Sequence, residues 1–305
     1  MKVRPFRFGC FGYNTGMFKL LAPLALVTLL APAALAVPTP LGEESLPFID
    51  AIAGVKPKAT MPATVAQVAH SFVGRPYLES SLEAFPVREG APEPLICRLD
   101  AFDCVTLVEN SVAIARAVSL GTPASYTAYR TQLESLRYRS GVRGNYATRL
   151  HYFSDWVADN ERRGNVKDLT PSLGGQADRR PITFMSTHRG AYRKLGDDRT
   201  FKEIQAVEAG LARTPRYVLP NAKVAGILPL LQSGDIIAFA TDIEGLDVVH
   251  TGLIYRQPNG TVHLLHAPEP GQKVTVSTKP LVEYLTLFPR HVGVIIARPL
   301  PPKKS

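Results

Sequence analysis

Three side chains in this sequence could carry nucleophilic chemistry together: the thiol of Cys104 and the imidazoles of His250 and His266. Cys104 lies in the stretch "AFDCVTLVE", where Asp103 is a good helix N-cap and places the cysteine in the first turn. A thiol attacks as the thiolate, and a helix start with a histidine nearby lowers its pKa to roughly 3.5–7.5. The same position also suits a small apolar residue in a buried turn. What separates the two readings is whether a base is brought to the sulfur.

The base candidates lie in "DVVHTGLIY", "PNG" and "TVHLLH", which read as a β-hairpin. A loop centred on Pro258 pairs His250 directly with His266 on one face, about 5 Å apart, whereas a one-residue slip sends them to opposite faces. In that register His266 holds one ring nitrogen of His250 and fixes its tautomer, and the other nitrogen takes the thiol proton. Gly252 falls on the same face as His250, leaving room for a thiol or substrate, or else it marks a bulge.

Two rival chemistries use the same residues. A disulfide between Cys97 and Cys104 would consume the nucleophile. A zinc site would draw on Asp247, His250, His263 and His266. Histidines 263 and 266 point to opposite faces of a strand, and there is no helical HExxH-like pair, so neither metal nor cofactor is expected.

The elements that position these residues form an α+β pattern. Residues 1–36 read as an export signal: Lys2, Arg4, Arg7 and Lys19 precede "LLAPLALVTLLAPAALA", which ends in a small-residue cleavage pattern. Pro23 and Pro32 interrupt that run, so no stable membrane span is expected after cleavage. Losing residues 1–36 lowers the formal charge from +9 to +5. What remains has no arginine-rich block or basic helix that would track phosphates, which argues against a nucleic-acid partner. Residues 37–59 are proline-rich and read as a linker or surface arm, 60–299 as the catalytic domain, and 300–305 as a basic tail. Within the domain, Thr60 caps a first helix and Asp103 a second, and further helices are expected over about 123–138 and 148–163. "GDIIAFAT", "DVVHTGLIYR", "TVHLLHA", "KVTVS" and "HVGVIIARP" then read as strands.

Taken together, "FVGRPY", "DCVTL", "GDIIAF", "VVHTGLIY" and "LLHAP" resemble the NlpC/P60 superfamily of papain-like cysteine peptidases that cut bacterial peptidoglycan. "AFDCVTLVEN", "RYRSGVRGNYATRLHYFSDWVADN" and "LLHAPEP" resemble more narrowly the DUF1460 branch of N-acetylmuramoyl-L-alanine amidases. The likeness runs over most of Thr60 to Pro299. It implies a papain-like fold, a helical N-terminal part packed on a C-terminal antiparallel sheet or barrel. It also implies Cys104 as nucleophile, His250 as base, His266 as orienter, and Tyr77 of the "PY" motif with its hydroxyl near the thiol. The usual Gly-Gly after that tyrosine is replaced here by "LESSLE" and a proline-rich loop, which fits the amidase branch better than the usual endopeptidase.

Independently of the resemblance, the segment from Arg149 to Trp156 is dense in polar-tipped side chains. Arg149 could grip a substrate carboxylate and Tyr152 could stack on a sugar, while Phe153 and Trp156 form a core stripe and Glu109 braces its surroundings. The expected function is an exported amidase acting on peptidoglycan or muropeptide fragments. A stem-peptide endopeptidase cutting after D-glutamate and a non-catalytic wall-binding module are the alternatives.

Overall fold

The computed structural model describes residues 45–83, 91–121 and 124–303. The signal-like segment and the first part of the proline-rich arm, residues 37–44, therefore lie outside the described residues. The end of that arm is not a surface linker. Ser45–Ile52 forms helix α1, whose Phe48 is buried and stacks on Tyr129 at 5.0 Å between ring centroids. Phe48 and Ala51 are enough of an apolar face to draw this short helix into the core.

Helix α2 (Met61–Ser71) starts at the expected cap, with the Thr60 hydroxyl accepting from Ala63 N–H. Helix α3 (Cys104–Leu120) begins at the cysteine itself. Asp103 accepts the Thr106 N–H at 2.7 Å and Thr106 Oγ1 accepts the Asp103 N–H at 3.0 Å, a reciprocal box that sets the first turn. Helix α4 (Tyr126–Arg137) follows, and α5 (Phe153–Arg162) starts five residues later than its pattern suggested. The reason is local: Arg149 pairs with Tyr138 in an isolated bridge and Leu150 N–H donates to Arg137 O, which holds that stretch extended.

The expected order, helices first and strands last, is softened by β1 (Val166–Asp168), β2 (Gln176–Asp178), α6 (Phe184–Thr187), α7 (Asp198–Leu211), β3 (Arg216–Pro220) and α8 (Asn221–Ile227). The five strands read from the sequence are β4 (Ile236–Thr241), β5 (Val248–Arg256), β6 (Val262–His266), β7 (Thr275–Val276) and, after helix α9 (Leu281–Thr286), β8 (His291–Pro299). Together with β2 and β3 they form an open antiparallel sheet in the order β2-β3-β8-β4-β5-β6-β7, with β1 also on β8. The sheet has two covered faces, as alternation along a strand requires. Ile236, Ala238, Leu253 and Leu265 pack toward α2 and α3, and Ile237, Phe239, Ile254 and Leu264 toward α8 and α9. The basic tail is tied down at its start, where Arg116 donates to Leu300 O and Leu300 N–H to Asn165 O.

Candidate active site

The segment Pro76–Leu78 brings the start of α3 to the ends of β5 and β6. Phe102 N–H donates to Pro76 O and Leu78 N–H to Phe102 O, while Tyr77 N–H donates to Gln272 O in the loop after β6. Ser81 Oγ donates to Asp103 Oδ2 at 2.8 Å, adding a second tether to the cap. Cys104 thus lines a cavity of about 240 Å³ whose opposite wall includes Asp247, Val248 and His250. The Cys104 side chain is buried, and its sulfur is one half of a disulfide in which Cys97 takes no part. The rival pairing of the two cysteines is therefore not formed.

His250 Nε2 and His266 Nδ1 are 2.8 Å apart, with the rings near perpendicular. The register that achieves this is not the expected one. Leu253 stands opposite Leu265 and Tyr255 opposite His263, so the hairpin is centred on Asn259, one residue beyond Pro258. The pairing is shifted by two positions, which preserves the face, and His266 lies diagonal to His250 beside Gly252. The shift follows from the loop: Gly260 N–H donates to Gln257 O, and Gly260 takes φ +86°, which glycine adopts without cost. The space at Gly252 is not left for a thiol. A Cβ there would meet Leu265 O at 2.8 Å and His266 Cβ at 3.0 Å, so the missing side chain is what lets His266 lie close enough to reach His250.

Burial drives the His250 pKa well below its ordinary value, with His266 and His291 adding to the effect, and burial pushes His266 down to about 4. Both rings are neutral at neutral pH, the form a base must have. A β-bulge between Phe239 and Ala240 sets His250 opposite Phe239 and Val248 opposite Ala240, with Val249 the extra residue. Irregularity of this kind at a strand end re-aims side chains, and His250 consequently borders two cavities at once.

The other sequence candidates divide. Tyr77 is buried and its hydroxyl, which burial pushes well up in pKa, has no hydrogen-bond partner; its ring belongs to the core. Arg149 does line the Cys104 cavity, but its Nη2 donates to Glu83 at 2.5 Å and its Nε lies 3.3 Å from Glu93 without hydrogen-bond alignment. It already holds two carboxylates of the chain, so it is not an open grip for one from a substrate. Tyr152 is a correction: its buried hydroxyl donates to Glu208 at 2.7 Å and accepts from Met185 N–H, and the ring lines neither cavity, so it cannot stack on a sugar. Glu109 braces as expected, accepting from Arg137 at 2.7 Å and Trp156 at 3.2 Å.

The residues imagined for zinc are not gathered. His263 spends its ring nitrogens on Ser277 O and Thr261 Oγ1, and Asp247 accepts from the N–H groups of Ser154 and Val248, each at 2.8 Å. Among the described residues no group of three histidine, cysteine or carboxylate side chains could hold a metal. The sequence reading missed His151, which lines the Cys104 cavity with Nε2 at 2.8 Å from Tyr146 O, and His291, which opens a recognised strand and carried its signal there unread.

A family model described as AmiA-like, N-acetylmuramoyl-L-alanine amidase-like, matches residues 67–292. The chain belongs to that family. Among solved structures it is similar to an N-acetylmuramoyl-L-alanine amidase from Bacteroides uniformis, with 32% identity over 80% of this chain and 99% of that one and a TM-score of 0.72. A Bacteroides fragilis protein described as a candidate xylanase is 31% identical over 75% of this chain and 98% of its own, TM-score 0.69. A DUF1460 protein from Legionella pneumophila shares the fold at 22% identity and a TM-score of 0.59, over 80% of this chain and 90% of its own. No curated protein matches. The family gives the amidase-like class.

Proposed function

We propose that the protein is a cysteine-dependent peptidoglycan amidase that hydrolyses the bond between the lactyl group of muramic acid and L-alanine. The observation that carries this reading is the 2.8 Å contact between His250 and His266 at the wall of a cavity lined by Cys104 at a helix start. In the reduced protein the Cys104 thiol gives its proton to the His250 nitrogen that His266 does not hold, and the thiolate attacks the lactyl carbonyl. N–H groups of the first helical turn face the oxygen that becomes negative. The C–N bond breaks, His250 gives the proton to the leaving alanine nitrogen, and the lactyl group remains as a thioester on sulfur. Water, deprotonated by His250, then releases the lactyl carboxylate and regenerates the thiol.

The carboxylates around the cavity support amide rather than glycoside chemistry. A glycosidase needs one carboxyl free to give a proton and another free to attack or activate water. Here Asp103 caps α3, Glu109 is bound to Arg137, Asp247 to two N–H groups, and Glu83 to Arg149. Export to the cell-wall compartment belongs to the same proposal, resting on residues 1–36. Digestion of purified muropeptides under reducing conditions, followed by mass spectrometry, tests the bond. The amidase releases an intact peptide that begins with L-alanine, whereas fragments cut after D-glutamate would replace this reading with the endopeptidase one.

A further inference from the structure

A second cavity, of about 480 Å³, lies on the far side of His250 from the Cys104 pocket, and its wall includes His266, Tyr284, Phe288 and His291. His250 and its neighbour Val249 are the residues common to both cavities. The feature that marks this second space as a site is His291. It is 7% exposed, yet its Nδ1 is buried with no hydrogen-bond partner. A buried polar atom left unpaired is destabilising unless something satisfies it.

The fold goes out of its way to put that ring there. A register shift in β8 sets Thr241 opposite His291 while Ala240 stands opposite Gly293, so Val292 is extruded and 41% exposed. Without the bulge Val292 would occupy the position beside Thr241. With it, the His291 ring lies 5.2 Å from Phe239 and 4.7 Å from Phe288, on the same face as the catalytic pair, and Asn221 holds its carbonyl from behind. Lys279 stands at the rim, about half exposed, in a long 3.5 Å contact with Glu283.

We infer that this second cavity is the subsite for the leaving stem peptide, with His291 Nδ1 hydrogen-bonding a peptide group and Lys279 facing a peptide carboxylate. The assignment rests on the amidase reading. In that reaction His250 must hand its proton to the departing nitrogen, so the acyl part stays on the Cys104 side and the amine leaves past His250 into the space beyond. Neutral hydrogen-bonding groups and aromatic walls suit a short peptide, and the charged lining residues Lys279 and Glu269 match one that carries both a carboxylate and an amine.

The test is the ratio of kcat/KM for a muramyl tripeptide to that for muramyl-L-alanine, measured in wild type, His291→Phe and Lys279→Ala. The ratio falls about tenfold in His291→Phe and a few-fold in Lys279→Ala if peptide beyond the first alanine is held here. An unchanged ratio in both variants overturns the assignment, even where overall rates drop, because a merely structural role lowers both substrates alike. Should His291→Phe not fold, Lys279→Ala and weaker inhibition of it by free tripeptide decide the matter. The wild-type product itself reports on the amidase reading separately: failure to release a peptide beginning with L-alanine would sink that reading, not only the subsite.

Discussion

The two walls of the Cys104 cavity look alike in the sequence and differ in the structure. On the helical side Asp103, Glu109 and Arg149 carry polar tips, but each tip is spent on another part of the chain. On the strand side His250 is bonded through one ring nitrogen to a second neutral histidine, and the pair is set at a bulge where two cavities meet. Charged groups in a buried wall must be neutralised internally, and doing so removes them from chemistry. Neutral imidazoles escape that demand, so the polar side chains available to a substrate are the ones that sequence composition makes least conspicuous.

The comparison is broken most sharply by variants that should lower activity while leaving stability nearly intact, and by the reverse. His250→Ala should reduce kcat by about 10³-fold or more, since both proton transfers pass through it. A loss under tenfold would move the base elsewhere. His266→Ala leaves the base present but unoriented, and a decrease of about 10²-fold in kcat with little change in KM is expected. On the helical wall, Glu109→Gln leaves the fully buried Arg137 guanidinium without its counter-ion and should cost about 3–5 kcal/mol of stability in urea titrations. Its kcat should stay within a few-fold of wild type at a temperature where it is folded; a large drop in kcat would mean the two walls are not separable. Gly252→Ala crosses the divide: its Cβ would press on His266 and the β6 backbone, costing about 1–3 kcal/mol and lowering kcat through the misplaced orienter.

The smallest effect concerns pH. Burial holds His266 and His291 near pKa 4 in the folded protein, against about 6.5 when unfolded. The unfolded chain therefore binds more protons below pH 6.5, so stability from these groups is complete above that value and is lost as pH falls toward 4. Carboxylates such as Asp247 and Glu109, whose pKa values burial raises, act with the opposite sign. Comparing urea midpoints at pH 7.5, 5.5 and 4.5 between wild type and His291→Phe isolates the imidazole, and the variant should show the shallower decline. Equal slopes would contradict the buried neutral ring.

Local signals carried much of this arrangement into the sequence. Asp103 and Thr60 cap where their types say they should, and all five strand segments of the C-terminal third are strands, because capping and alternation are decided within a few residues. The face shared by His250 and His266 was legible for the same reason, although the register was not: a single residue in the hairpin loop moves the pairing by two, which parity arguments do not detect. What stayed hidden depends on contacts between distant segments. The burial of Phe48, the capture of Arg149 by Glu83 and Glu93, and the bulge that turns His291 inward are all settled by partners tens of residues away.

The account rests most directly on the sulfur of Cys104. With reduced protein and purified muropeptides, peptide release by Cys104→Ser should fall at least about 10³-fold below wild type, while its urea midpoint stays close to the wild-type value. Undiminished release by the Cys104→Ser protein would contradict it.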